Sequence, residues 1–202
     1  MNRRQMLTFS AMGAGLMAGL RPVSAQTATP STDGTPMQFI PKTPKDANPL
    51  EGELSKYAKC PYCGMDRKEY HFSRHLIHYS DDLVDGTCSL RCAAVSLSLN
   101  LDRTPKAIYA ADFGAPDEIK PLVLADKAVY LLGGGLRAVM TKTAKTAFAS
   151  RAKAEEIKAK SGGEIVDFNQ ALTQSFLNMA EDTMMIRGRR EERRRKQAES
   201  KG

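Results

Sequence analysis

The chain has 202 residues, room for one ordinary domain or two very small ones. Apolar residues make up 42% of it, with no tryptophan and only 6% aromatic residues, so a core is attainable and mostly aliphatic, which excludes a wholly disordered chain. The net charge of +7 invites a nucleic-acid reading, but residues 1–25 carry +3 and residues 187–202 carry +5. Subtracting both from +7 leaves the body at −1, without the basic globular face that such a partner needs.

The first element in chain order is a leader. Arg3 and Arg4 precede a Gly- and Ala-rich apolar run from Phe9 to Leu20, which is too short for a stable membrane anchor. Val23-Ser24-Ala25 offers the small residues that a signal peptidase reads. Cleavage after Ala25 and twin-arginine export are expected. No cysteine follows near that site, so no lipid anchor is expected, and the mature chain is expected in the periplasm as a soluble protein. Residues 26–57 are rich in Pro and Thr and read as a disordered tether.

The folded body is expected from about residue 58. His75–Tyr79 and Leu83–Thr87 read as strands joined by a turn at Ser80-Asp81-Asp82. Ser89–Leu101 reads as a helix broken by Thr104-Pro105, and Ala107–Ala111 as a strand. The second half is read in the same order. Ala128–Leu132 and Leu136–Thr141 are strands, Thr143–Ser161 is a helix stopped by Gly162-Gly163, and Glu164–Val166 is a strand. The fold class expected is therefore α+β, with two duplicated ββαβ units over about 58–113 and 126–168, each too small to bury a core without the other. Asn169–Glu192 is expected to add a C-terminal helix with a buried stripe of Leu172, Phe176, Met179 and Ala180, extended by Met184, Met185 and Ile186. From Arg187 onward it is expected to fray into a basic tail.

The chemistry centres on Cys60-Pro61-Tyr62-Cys63-Gly64-Met65 and on Cys88 and Cys92. A thiolate and a thioether two positions apart suit copper(I), a soft ion, and Gly64 lets both sulfurs face one point. Met140 is a further thioether. The spacing of Cys60-x2-Cys63 and Cys88-x3-Cys92 equally suits a zinc site. Disulfide bonding is a third reading, and a redox Cys-x-x-Cys a fourth, although that motif usually opens a helix. His71, His75 and His78 offer an extra imidazole ligand or a solvated strand face.

These residues resemble the NosL-type accessory proteins of nitrous-oxide reductase. The resemblance rests on Cys60-x-x-Cys63-Gly64-Met65, on Asp85-Gly86 ahead of Thr87-Cys88-Ser89, and on Val139-Met140-Thr141, Ala147-Phe148-Ala149, Gly162-Gly163 and Asp167-Phe168. It spans residues 58–172. The resemblance implies two ββαβ units and a non-enzymatic copper(I) metallochaperone. It also implies passage of copper towards the catalytic centre of nitrous-oxide reductase with help from a membrane transporter complex. Carried over residue by residue, the implied copper ligands are Cys63, Met65 and Met140. This sequence departs from the family in lacking a lipoprotein cysteine, in adding Cys88 and Cys92, and in reading Ala-Val-Met-Thr around Met140. Cys60, Cys88 and Cys92 are further metal candidates. The alternative is a zinc-stabilised four-cysteine binding module without metal transfer.

Overall fold

Alternating apolar runs separated by Asp- and Gly-containing turns build two antiparallel sheets, and the helices between them close one shared core. The computed structural model describes residues 40–200; the leader, its cleavage site and residues 26–39 of the expected tether lie outside that range. Residues 40–57 are not a plain tether. They carry the short helix α1 (Glu53–Lys56) and fasten to the body, with the Asp46 amide donating to the Asp82 carbonyl at 2.8 Å and the Tyr57 hydroxyl to Asp46 at 2.7 Å.

The first sheet contains β1 (His75–Tyr79), β2 (Val84–Thr87), β3 (Pro105–Ala111) and β4 (Leu122–Leu124), in the order β2-β1-β3-β4. Helix α2 (Leu90–Leu99) connects β2 to β3. The second sheet contains β5 (Val129–Leu132), β6 (Lys145–Phe148) and β7 (Glu164–Val166), in the order β6-β5-β7, with α3 (Arg151–Ser161) between β6 and β7. Strand, strand, helix, strand is thus the order in both halves, and in both the first strand lies between the other two. Strand β4 is an addition that the sequence pattern missed, since Leu122–Leu124 is only three residues long.

The largest difference from expectation lies between β5 and β6. Residues 136–141 are not a strand: the partner of β5 is Lys145–Phe148, paired from Val129↔Phe148 to Leu132↔Lys145. Helix α3 accordingly starts at Arg151, capped by the Ser150 side chain, and Phe148 is a buried strand residue rather than a helical one. Gly133 and Gly134, both with positive φ, leave the sheet directly after β5. The intervening residues, Met140 among them, form a long loop.

Two helices, not one, follow: α4 (Phe168–Leu177), opened by a capping box between Asp167 and Gln170, and α5 (Met179–Glu199). Their buried positions are Ala171, Ser175 and Asp182. Phe176 and Met184 are exposed at 42% and 66%, and Ala180 is exposed as well, so the expected apolar stripe is rotated. Helix α5 stays regular to Glu199 instead of fraying at Arg187.

The main core joins both sheets. Ile77, Tyr79 and Ala110 of the first pack with Tyr130, Ala147 and Val166 of the second, under Leu90, Ala93 and Ala171 of the helices. His75 adds a polar tie. Its ring is stacked near Tyr130, Nδ1 lies 3.0 Å from the Ser73 carbonyl and Nε2 lies 3.1 Å from the Tyr130 hydroxyl. A neutral imidazole satisfies both contacts by donating from Nδ1 and accepting at Nε2. Burial pushes its pKa down from 6.5 to about 4. Between those values the unfolded chain takes up a proton that the folded one refuses. This contribution is therefore complete above pH 6.5 and falls as the pH drops towards 4. Replacing His75 by Gln is expected to flatten the loss of stability across that window, read from urea midpoints; parallel curves for both proteins would contradict it.

No helix among the described residues is long and apolar enough to cross a membrane.

Candidate metal site

The Cys60–Met65 segment is a tight turn. The Gly64 amide donates to the Cys60 carbonyl at 2.8 Å and the Cys60 amide to the Met65 carbonyl at 2.9 Å. Gly64 has φ +78, a left-handed conformation that a side chain disfavours. The segment does not open a helix, so it lacks the setting that activates a redox Cys-x-x-Cys. It is pinned from below: the Tyr62 hydroxyl donates to the buried Asp85 carboxylate, which also accepts from Ser96 Oγ at 2.6 Å. Ser96 in turn meets the Tyr79 hydroxyl at 2.6 Å.

The other two cysteines come from the junction of β2 and α2. Cys88 directly follows the strand, and Cys92 lies four residues on, in the first turn of α2. That spacing places the sulfurs on one side, with Sγ atoms 3.8 Å apart. Cys63 Sγ reaches to 3.3 Å from Cys88 Sγ. The sulfurs of Cys60, Cys63, Cys88 and Cys92 all lie within 4.8 Å of one another, and all four cysteines are free. A tetrahedral ion with metal–sulfur bonds near 2.3 Å needs sulfur–sulfur edges of about 3.8 Å, so the donor set fits a single tetrathiolate ion with little movement.

The electrostatics of this pocket are shared among its members. The Cys60 thiol is held below its ordinary range because Cys63, then Cys88 and Cys92, donate hydrogen bonds to its sulfur. Cys88 and Cys92 are pushed up, first by donating to Cys60. A metal ion that enters must displace the thiol protons that remain.

Cys60, Cys88 and Cys92 are buried at 1%, 0% and 0% exposure, whereas Cys63 is half-buried. Val139 completes the buried cluster, and Met65, Met140, Tyr70 and Phe72 pack against it. Both methionines singled out from the sequence therefore lie beside the cysteines. Met140 arrives there from a loop rather than from the expected strand. Its φ of +58 is unusual for a residue with a side chain. The loop is fastened just beyond it, where the Lys142 amide donates to Asp182 Oδ1 at 2.9 Å. The buried Lys145 ammonium adds bonds to Thr141 Oγ1 and the Thr143 carbonyl.

A cleft of about 680 Å³ opens on this outer side, lined by Cys63, Met65 and Met140 and by Met185 of α5. Met185 was expected in the helix core; it faces the cleft instead. The histidines stay apart from the sulfurs. His75 meets Tyr130, His78 meets Asp82 at 2.9 Å, and His71 accepts from the Lys120 amide at 3.3 Å.

Sequence reasoning also missed Arg67, a fully buried cation behind the site. It donates to the carbonyl of Tyr57 at 2.8 Å and to that of Thr87 at 3.3 Å, and pairs with Glu53 at 2.8 Å. Its guanidinium runs over Gly86, where a Cβ would lie 2.8 Å from Nη1. This gives the Asp85-Gly86 pair a physical reason. The one available signal was a cation close after a metal-ligand motif, which is too common to single out.

The NosL family model matches residues 51–176. The chain is similar to the crystal structure of the copper chaperone NosL from Shewanella denitrificans, with 21% identity over 62% of this chain and 95% of that one, at a TM-score of 0.50; at this identity the likeness speaks for the fold. No curated protein matches the chain.

Proposed function

The chain belongs to the NosL family, and from that premise we propose that it is an exported copper(I) metallochaperone. Its cargo passes by ligand exchange towards the catalytic copper centre of nitrous-oxide reductase. The observation that supports this most is the convergence of Cys63, Met65 and Met140, from two distant chain segments, on a single cluster that borders an open cleft.

The donors explain selectivity. One thiolate and two thioethers are soft and favour copper(I) over harder divalent ions. Access explains transfer. The site is walled by Val139 and the buried cysteines on its inner side, while the cleft leaves its outer side free for an incoming ligand. An acceptor donor atom can then join the ion before Cys63, Met65 or Met140 leaves, so the ion is never bare. Nothing in this exchange breaks a covalent bond or moves an electron, and a non-enzymatic role follows. The buried thiols behind Cys63 are a second soft-donor set into which the ion can settle.

Met140→Leu keeps the volume and removes the thioether. It is expected to weaken copper(I) binding by about 10- to 100-fold, as changes that disturb a metal site do, with the thermal midpoint almost unmoved. Competition against a copper(I) chelator reads the first quantity and calorimetry the second. The function itself is tested by mixing the copper(I)-loaded chain with copper-depleted nitrous-oxide reductase and its transporter complex. Restored reductase activity is the expected outcome, and copper retained by the chain under those conditions is the opposing one.

The spacing of the four cysteine sulfurs favours a second reading, a zinc-holding four-cysteine module without transfer. Purification under reducing conditions followed by metal analysis separates the two. The first gives copper(I) that exchanges without unfolding; the second gives zinc whose removal unfolds the chain.

A further inference from the structure

The cleft over the sulfurs has a second wall, and its chemistry differs from that of the floor. Helix α5 contributes Arg189, Arg190 and Arg193 to the lining. All three are exposed, and no carboxylate pairs with any of them among the described residues. Lys196 also lines the cleft, but it is held by Glu192 at 2.7 Å. Arg137, from the Met140 loop, lies over the rings of Tyr70 and Phe72, 5.0 and 5.4 Å from their centroids, which holds a fifth cation in the lining.

The base of this wall is fixed in place. Asp182, one turn before the cleft-lining stretch of α5, is buried and accepts from the backbone of the Met140 loop. The neighbouring Thr183 hydroxyl accepts from Arg91 of α2 at 3.0 Å. The base of α5 is therefore joined to the same loop and helix that carry Met140 and Cys92. Arg189, Arg190 and Arg193 follow on the same helix and share the cleft lining with Cys63, Met65 and Met140.

We propose that this cleft is the docking site of an acidic polypeptide segment, one that carries a sulfur or imidazole ligand down to Cys63, Met65 and Met140. The inference rests on the copper-transfer reading above and names the chemistry of the segment that takes the ion. Three unpaired arginines above a donor site attract carboxylates and orient the approaching chain. The same cations repel a free metal ion, so the ion leaves with a ligand-bearing partner rather than by escape into solvent. An acidic lipid surface is a poorer match, because a planar membrane does not reach the floor of a cleft. The chain's own residues 26–39 hold a single acidic residue, Asp33, and cannot neutralise the wall.

The probe is a short synthetic peptide alternating Glu with Met, compared with one alternating Lys with Met, each with a fluorescent label. Anisotropy with the metal-free full chain reads docking independently of copper. The acidic peptide is expected to bind, to weaken steeply with added salt, and to bind about tenfold more weakly to the Arg189→Gln/Arg193→Gln chain. It is also expected to slow alkylation of Cys63, because a segment in the cleft covers that thiol. Chelator competition on the double variant is expected to give a copper(I) affinity within about threefold of the wild type, which keeps failure of docking distinct from failure of the copper site. Equal binding of the two peptides, no effect of the arginine changes, or no protection of Cys63 overturns the proposal. So does binding to phosphatidylglycerol vesicles that depends on these arginines when the acidic peptide fails to bind.

Discussion

Cys63→Ala is expected to lower copper(I) affinity by at least about 100-fold, more than changes outside the ligand shell usually cost, while the folding midpoint stays nearly unchanged. The reason lies in its position. Of the four cysteines it alone is half-buried, and it alone lines the cleft. It lies 3.3 Å from Cys88 on one side and in the apolar cluster with Met65 and Met140 on the other. Loss of its sulfur therefore breaks the open thiolate–thioether set and the buried tetrathiolate together. Little packing is lost with it, because the Cys60–Met65 turn is held by its own backbone bonds and by Tyr62 on Asp85. Cys92→Ala makes the informative partner. Cys92 is fully buried and belongs only to the inner set. Its loss is expected to abolish zinc retention while copper(I) binding at Cys63, Met65 and Met140 survives. Competition titrations on both variants give the answer. A Cys63→Ala chain whose copper(I) affinity stayed within about threefold of the wild type would falsify the open site.

Arg67→Met is expected to cost about 3–5 kcal/mol of stability, the range found when one member of a buried ion pair is removed. Arg67 is 0% exposed, and Glu53 lies between it and Arg74, at 2.8 Å from each. Without Arg67 the buried carboxylate keeps one partner, and the carbonyls of Tyr57 and Thr87 lose a charged donor. Those two residues lead directly into the segments that present Cys60 and Cys88. The variant is therefore expected to bind metal more weakly as well as to unfold at lower urea. A midpoint shift equivalent to less than about 1 kcal/mol, the size of an exposed pair, would show that the guanidinium is not the common anchor of the two cysteine segments.

The clustering of the cysteines was legible in part from the sequence. Cys60-x-x-Cys63-Gly64-Met65 is a local pattern, and a local pattern carries its own turn: Gly64 supplies the left-handed residue, and the short spacing brings the sulfurs round. Cys88 and Cys92 were legible for a related reason, since a four-residue spacing across a helix start can bring both side chains to one side. The first three strands and the helix of the first half follow from short runs bounded by the Ser80-Asp81-Asp82 turn and Thr104-Pro105, so their order was readable too.

The second half was harder because its signals compete. Leu136, Val139 and Met140 look like a strand in sequence, but the register of β5 against Lys145–Phe148 leaves them in a loop. Met140 consequently reaches the site by a route that no periodicity encodes. Its placement depends on Asp182 of α5, far along the chain, accepting from the amide of Lys142. Asp182 in turn carries no sign in the sequence that it is buried.

The sequence by itself therefore determined which sulfurs are available and which pairs of them are neighbours, because short-range geometry is set by the chain between them. Only the tertiary structure decided that the Cys60–Cys63 and Cys88–Cys92 pairs become one pocket, that Met140 and Met185 border it, and that the arginines after Arg187 wall the cleft rather than trail from the end. Those outcomes depend on which buried polar groups find partners across the fold. Arg67 under the turn bonds the carbonyls of Tyr57, His75 and Thr87, and Asp182 Oδ1 beside the loop accepts from Lys142, so their effect on the site is a property of packing rather than of pattern.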